Sequence, residues 1–237
     1  MDRAEFDKFA EEYKSLHCEN VASSGESPEY FAEYKMKDLK KIVKRTSPIM
    51  DTGDFLDFGA GIGSSVPFFR KYFPSARLTC ADVSKDSLEI AASNFGNSAE
   101  YVTFDGTYLP FADNSFDATY ASCVFHHIRP EQHVHHLREL RRVLKLKGFI
   151  MIYEHNPLNP LTVRAVNTCP FDENAILIRA NIMKTRLKSA GFTSVEIRYR
   201  VFFPRFLRLL RWAENWLEWL PLGAQYYVVA SKDARRR

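Results

Sequence analysis

The sequence lacks the marks of export, membrane insertion and disulfide or metal scaffolds. Its four cysteines, Cys18, Cys80, Cys123 and Cys169, are scattered and form no Cys-x-x-Cys pair. That argues against a disulfide framework and a cysteine zinc site, and is expected of a reducing, cytoplasmic setting. No uninterrupted apolar run approaches the roughly 20 residues that span a bilayer, and the first residues are charged rather than signal-like. Charge of one sign is lacking too: 33 Lys and Arg face 29 Asp and Glu, a net +4 that includes Arg235-Arg236-Arg237. No nucleic-acid partner is implied, because that needs a basic groove with interleaved aromatics. Glycine is sparse, with 10 in 237 residues, and three of these fall in one turn.

That turn is Asp54-Phe55-Leu56-Asp57-Phe58-Gly59-Ala60-Gly61-Ile62-Gly63-Ser64-Ser65. An apolar run, three spaced glycines and then a helical pattern read as a buried strand, a tight turn and a helix start. Such a turn lets the backbone approach a nucleotide-like ligand closely. The dinucleotide fingerprint G-x-G-x-x-G is not met, since Ser64 stands where its third glycine belongs. Asp57 would repel a pyrophosphate but attract an ammonium or sulfonium group, which favours S-adenosylmethionine over NAD. Arg77 to Asp82 reads as a second strand ending in an acid, at the spacing that places a carboxylate on an adenosine ribose. Ser84 then caps a helix, with Ser87 three residues on.

Further strands are expected over Tyr101–Thr103, Ala118–Cys123, Phe149–Tyr153, Ser194–Val201 and Ala224–Ala230. Helices are expected over 2–16, about Glu29 to Lys44, about Pro130 to Leu144, and 181–190. The two leading helices precede the first strand and suit a lid, with Tyr13, His17, Tyr30, Tyr34 and Lys35 as pocket-facing candidates. Between Pro204 and Pro221 a helical stripe of Phe206, Leu209, Leu210, Ala213, Leu217 and Leu220 reads as core. Trp212, Trp216 and Trp219 lie beside it as a substrate wall, a homodimer surface or, less expected, a weak membrane-surface contact.

Asp57-x-Gly59-x-Gly61-x-Gly63, Asp82, Asp105-Gly106, LPFADNSFDATYASCVFHHI and LRELRRVLKLKGFIMIYE fall in order over residues 53–154. Together they resemble the motif series of class I S-adenosylmethionine-dependent methyltransferases. One departure is Lys147, where the family's LKPGG turn usually has proline or glycine. The resemblance implies an α/β, Rossmann-like, seven-stranded, mostly parallel sheet with an antiparallel last strand and helices on both faces. It divides the chain into an N-terminal helical lid over 1–46 and a methyltransferase domain over 47–237. Within that domain a 157–180 loop and a 204–221 helical insertion would serve substrate or oligomer. The cofactor implied is S-adenosyl-L-methionine, held by Asp57, Gly59, Ala60, Gly61 and Gly63, with Asp82 and Val83 at the ribose. Asp105 and Gly106 would lie by the adenine and Ser122 beneath the sulfonium, with Tyr13 and Lys35 contributed by the lid. The segment after the fifth strand also resembles small-molecule methyltransferases of bacterial polysaccharide and secondary-metabolite gene clusters.

Methyl transfer needs alignment of nucleophile, methyl and sulfur, and a hydroxyl acceptor also needs a base. His155 is the preferred base because it follows the fifth strand at the ligand edge; Glu154 would orient it or bind substrate. His127 is a second candidate. His133, His135 and His136 read as solvated, and the His and Asp spacing offers no metal ligand set. The expected reaction is methylation of a small molecule, first a sugar or metabolite hydroxyl, with nitrogen or carbon as alternatives. A nicotinamide reductase would want Tyr-x-x-x-Lys after the fourth strand. An amino-methylating nucleic-acid enzyme would want Asn-Pro-Pro-Tyr where this chain has Ser122-Cys123-Val124-Phe125.

Overall fold

Strand β1 (Asp54–Phe58) is apolar on both faces because it is covered on both. Successive side chains point to opposite sides. Leu56 and Phe58 join one core, while Phe55 joins the other. The computed structural model describes Val21, residues 24–46 and residues 51–233. The expected helix over 2–16, with Tyr13 and His17, lies outside the described residues.

The remaining elements are α1 (Pro28–Thr46), α2 (Val66–Tyr72), β2 (Arg77–Asp82), α3 (Lys85–Phe95), β3 (Glu100–Thr103), β4 (Phe116–Ser122), α4 (His133–Val143), β5 (Leu144–His155), α5 (Pro160–Asn167), α6 (Ala180–Ser189), β6 (Thr193–Arg200), α7 (Glu214–Leu217) and β7 (Gln225–Ser231). They build one seven-stranded sheet in the order β3-β2-β1-β4-β5-β7-β6. Strands β1 to β5 pair in parallel, and β7 runs antiparallel to both β5 and β6. The last strand is thus antiparallel as expected, but it lies between β5 and β6. Strand order reverses at β1, which is flanked by β2 and β4. One face packs Leu56, Ile150 and Ile152 on Leu137 and Leu140 of α4 and on Met183 and Leu187 of α6. The other packs Phe55, Met151 and Tyr153 against α1 and α2. Each such fully buried side chain stabilises the fold by about 1.5–3 kcal/mol.

Helix α1 begins with Pro28 at its first position, carries Glu29 in the first turn and ends on Lys44 and Arg45. It is bolted to the sheet rather than laid over it. Asp38, 2 % exposed, takes a two-pronged ion pair from Arg200 at 2.8 and 3.0 Å and a hydrogen bond from Tyr153 Oη at 2.6 Å. Arg200 reaches on to Glu218 at 2.7 Å. Ser84 caps α3 as expected, accepting from Ser87 N at 3.1 Å.

Three expectations are corrected. His133 and His136 are buried, not solvated; the His133 ring bonds Ile128 O at 2.8 Å, and His135 reaches Thr107 O. The 157–180 segment, expected as a loop, holds a short helix. Pro160 takes the first turn of α5, and Asn159 Oδ1 accepts from Leu161 N and Thr162 N. The stripe over 204–221 is not core: Phe206 and Leu209 are 80 % and 83 % exposed. Residues Arg205–Ala213 wind as 3₁₀ turns with a break at Leu207, so a stripe drawn at 3.6 residues per turn no longer shares a face. Trp212, Trp216 and Trp219 are exposed as well.

Candidate active site

The carboxyl ends of β1, β2, β4 and β5 open on a cavity of about 1050 Å³ at the strand-order reversal, where open α/β sheets bind ligands. A groove of about 1130 Å³ lies at the opposite strand ends, by Asp54, Arg77 and Glu100, away from the glycine turn.

The turn after β1 forms the floor. Gly59 N and Ala60 N both donate to Ala81 O, at 2.8 and 3.2 Å, which folds the turn across β2. A Cβ at Gly59 would sit 2.6 Å from both methyls of Val124, and φ there is +75°. Gly61 also has positive φ, but nothing lies within 4 Å of where its Cβ would be; its missing side chain leaves space in the cavity. Gly63 serves a different purpose. Its Cβ would meet that of Ala91 at 2.9 Å, so it permits close packing on α3 and does not line the cavity.

Asp82 accepts from Gly61 N through Oδ2 at 2.8 Å and from Ser84 N through Oδ1 at 2.9 Å. A carboxylate oxygen can accept more than one hydrogen bond, which suits the hydroxyls of a ribose. Asp57 is 2 % exposed and accepts from Ser65 Oγ, itself 3.3 Å from Tyr120 Oη. Burial raises its carboxyl from the usual 3.8 to about 6, against the pull of Ser65 and Tyr120. A buried acid held that high is a partner in wait for a cation. The open space at Gly61 and the carboxylates of Asp57 and Asp82 fit an adenosyl sulfonium cofactor.

Of the other residues named from sequence, Lys35, Ala60, Val83, Ser122, His127 and His155 line the same cavity. Asp105 and Gly106 do not. Asp105 is exposed and caps its own turn, accepting from Thr107 N and Tyr108 N at 2.7 and 2.8 Å, while Gly106 packs near Val83. Lys35 Nζ donates to Ser122 Oγ at 2.8 Å and lies 3.3 Å from Cys123 Sγ. Cys123 and Val201, both on the cavity wall, hold left-handed φ of 59° and 62°, a strain of the kind stored at functional sites.

Glu154 is fully buried and does not orient His155. Its Oε1 accepts from Val124 N and Phe125 N at 3.1 and 2.8 Å, and its Oε2 pairs with His126 Nδ1 at 2.6 Å. The strand-end peptides after β4 need an acceptor, and Glu154, one residue beyond the Ser122–Tyr153 pair, supplies it. Burial opposes the charge on His126, but Glu154 and Asp172 outweigh it and raise the imidazole to about 10. His127 is lowered to about 3 by burial and by the neighbouring His126, which makes it a poor base. His155 faces the cavity with its ring 5.3 Å from that of His126.

Sequence reading misses Cys123 and Asp172 as site residues and takes His126, beside His127, only as a lesser candidate base. The expectation of no metal ligand set rests on local His and Asp spacing. The fold brings Asp172, far along the chain, to His126 and His127, with ligand atoms of the three within 4.8 Å of one another. No periodicity announces Asp172; only its place in a Pro-rich loop after the strand edge hinted at it.

A family model described as "Methyltransferase domain" matches residues 56–152. A demethylmenaquinone methyltransferase of Thermotoga maritima is 31 % identical over 154 residues, covering 65 % of this chain and 61 % of that protein. A ubiquinone/menaquinone biosynthesis C-methyltransferase of Hahella chejuensis is 26 % identical, covering 60 % and 59 %. The chain spans about three fifths of the length of these curated relatives. The fold matches that of a solved S-adenosylmethionine-dependent methyltransferase of Thermotoga maritima, described as a possible histamine N-methyltransferase. Its TM-score is 0.66 at 19 % identity, over 98 % of this chain and 99 % of that one. Among the described residues no helix is long and apolar enough to cross a membrane. Residues 56–152 therefore match a methyltransferase domain, on a fold shared with solved S-adenosylmethionine-dependent methyltransferases.

Proposed function

We propose that the protein transfers a methyl group from S-adenosylmethionine to a small molecule, at a carbon made nucleophilic by deprotonation of an adjacent hydroxyl. The observation that carries this reading is one cavity shared by the glycine turn and Asp82 on one side and by His155 on the other. The cofactor supplies an activated methyl on a neutral leaving group, so the chain's work is alignment and proton removal. Asp82 binds the ribose, Asp57 offsets the donor's positive charge, and Lys35 with Ser122 shapes the site between donor and acceptor. His155 takes the acceptor's proton. Neutral phenols and enols resist methylation at carbon, and their anions do not.

Relatives named C-methyltransferases support carbon over the sugar hydroxyl expected from sequence. So does the outer wall, where Phe31, Leu161, Phe202 and Phe206 offer an apolar body a place to lie. The same base serves an oxygen acceptor, so the position of the new methyl decides between the two. Calorimetry tests the cofactor: S-adenosylhomocysteine binds and NADH does not, and Asp82→Ala weakens binding at least tenfold. Turnover is then assayed against phenolic, enolic and sugar acceptors, with the product's methyl located by NMR. His155→Ala lowers turnover and leaves cofactor affinity near wild type; full activity in that variant removes His155 as base.

A further inference from the structure

Beyond the cofactor turn, the cavity holds a second group of side chains. His126 Nε2 and His127 Nε2 lie 3.5 and 3.4 Å from the same oxygen, Asp172 Oδ1. Ligand atoms on a four-coordinate ion with bonds of about 2.1 Å are separated by about 3.4 Å; each imidazole stands at that spacing from Asp172, and the ligand atoms of the three all lie within 4.8 Å of one another. All three line the cavity, so a fourth position opens toward it.

Two further observations set this group apart from a chance ion pair. Glu154 Oε2 sits 2.6 Å from His126 Nδ1, the outer carboxylate that fixes a ligating imidazole and turns its other nitrogen toward the ion. Asp172 is 4 % exposed, and its Oδ2 has no hydrogen-bond partner among the described residues. A buried carboxylate oxygen without a donor is costly; an ion bound here would meet that oxygen and take the place of the His126 proton, which is released on binding.

We infer that His126, His127 and Asp172 form a binding site for one divalent transition-metal ion of the zinc class. Two imidazoles and one carboxylate select such ions over magnesium or calcium, which take oxygen ligands. Glu154 is a positioning residue for this site, which accounts for a fully buried acid one residue before the end of β5. The open position faces the region beside His155, where an oxygen of the acceptor is the fitting ligand. That last consequence rests on the methyl-transfer reading; the binding of the ion does not.

The test uses the full chain after chelation, titrated with zinc chloride by calorimetry and with cobalt chloride by visible absorption. One equivalent binds, and cobalt gives the d–d bands of a low-coordinate, imidazole-bearing site. Asp172→Asn and His127→Gln each weaken binding at least about tenfold, and His135→Gln, whose ring lies against Thr107 O, Tyr108 and His136 and away from the three ligands, leaves it unchanged. Melting temperatures without metal show that each variant is folded. If one ligand variant is not, the other decides. No stoichiometric binding, or binding that ignores these substitutions, overturns the site. S-adenosylhomocysteine titrated into the same samples keeps the two readings apart. A protein that binds it but no metal loses only this inference, and one that binds metal alone loses only the methyl-transfer reading.

Discussion

Lys35 Nζ stands 2.8 Å from Ser122 Oγ and 3.3 Å from Cys123 Sγ, so a helix that precedes the sheet sets the charge at the end of β4. Burial by itself pushes the Cys123 thiol up. The Lys35 ammonium and His155 outweigh that and bring it from the usual 9 to about 6. Cys80 is raised by burial and by the carboxylates of Asp57 and Asp82, which together outweigh Arg70. Iodoacetamide at pH 7 therefore alkylates Cys123 ahead of Cys80 and Cys169, read by peptide mapping. Lys35→Met returns the thiol toward its protonated form and slows that labelling roughly tenfold. Equal rates in the two proteins would dismiss the pairing.

The glycine turn separates folding from binding at two neighbouring positions. Gly59→Ala drives a Cβ to 2.6 Å from Val124, whose side chain is itself buried. Overpacking of this kind costs about 1–3 kcal/mol, with left-handed strain added. Gly61→Ala meets nothing within 4 Å and costs about 1 kcal/mol of strain alone, but its methyl enters the cavity. Thermal melts and calorimetry on both should show a large loss of stability for Gly59→Ala. Gly61→Ala should lose S-adenosylhomocysteine affinity out of proportion to its smaller change in melting temperature. The reverse pattern would mean that the turn is read backwards.

The central domain was legible because its signals are local and agree with one another. A buried strand ending in Asp57, a glycine turn, a second strand ending in Asp82 and a Ser84 cap each follow from near neighbours. What failed is instructive in the same terms. Arg205-Phe206-Leu207-Arg208-Leu209-Leu210-Arg211-Trp212-Ala213 repeats with a period of three, and 3₁₀ turns stack such a repeat into straight stripes. A helix of 3.6 residues per turn laid over a repeat of 3.0 places Phe206 and Leu209 in a core they do not enter. Glu154, His126 and Asp172 meet only after the sheet is closed, and no local spacing carries that information.

Asp57 trades stability for binding. Its carboxyl is raised to about 6 in the fold, from 3.8 when unfolded, chiefly by burial. Between those values the folded chain keeps a proton that the unfolded chain has released. Stability therefore falls as pH rises through about 4 to 6, and the full cost persists above it. That cost is on the order of 2–3 kcal/mol at neutral pH. Asp57→Asn keeps an acceptor for Ser65 Oγ, so it should raise the melting temperature of the ligand-free protein at pH 7 and change little at pH 4. The same substitution should weaken S-adenosylmethionine binding, because the charge facing the sulfonium is gone. A variant no more stable at pH 7 than the parent would show that Asp57 is not held at a cost.

Lys147 marks where the LKPGG-like turn departs from glycine, and the backbone shows the consequence. Its φ is +66°, a conformation that costs a residue with a Cβ about 1–2 kcal/mol. The turn is kept by Lys147 N donating to Lys232 O and Lys232 N donating to Gly148 O, both at 2.9 Å. Neither bond uses the Lys147 side chain, which is exposed. Lys147→Gly therefore removes the strain and leaves both bonds in place. Glycine's larger freedom in the unfolded chain offsets about 0.5–1 kcal/mol of the gain. A net stabilisation of about 0.5–1 kcal/mol remains, or about 2 °C in melting temperature for a chain of this size. Differential scanning calorimetry decides it: an unchanged or lower melting temperature would mean that the turn carries no strain to release.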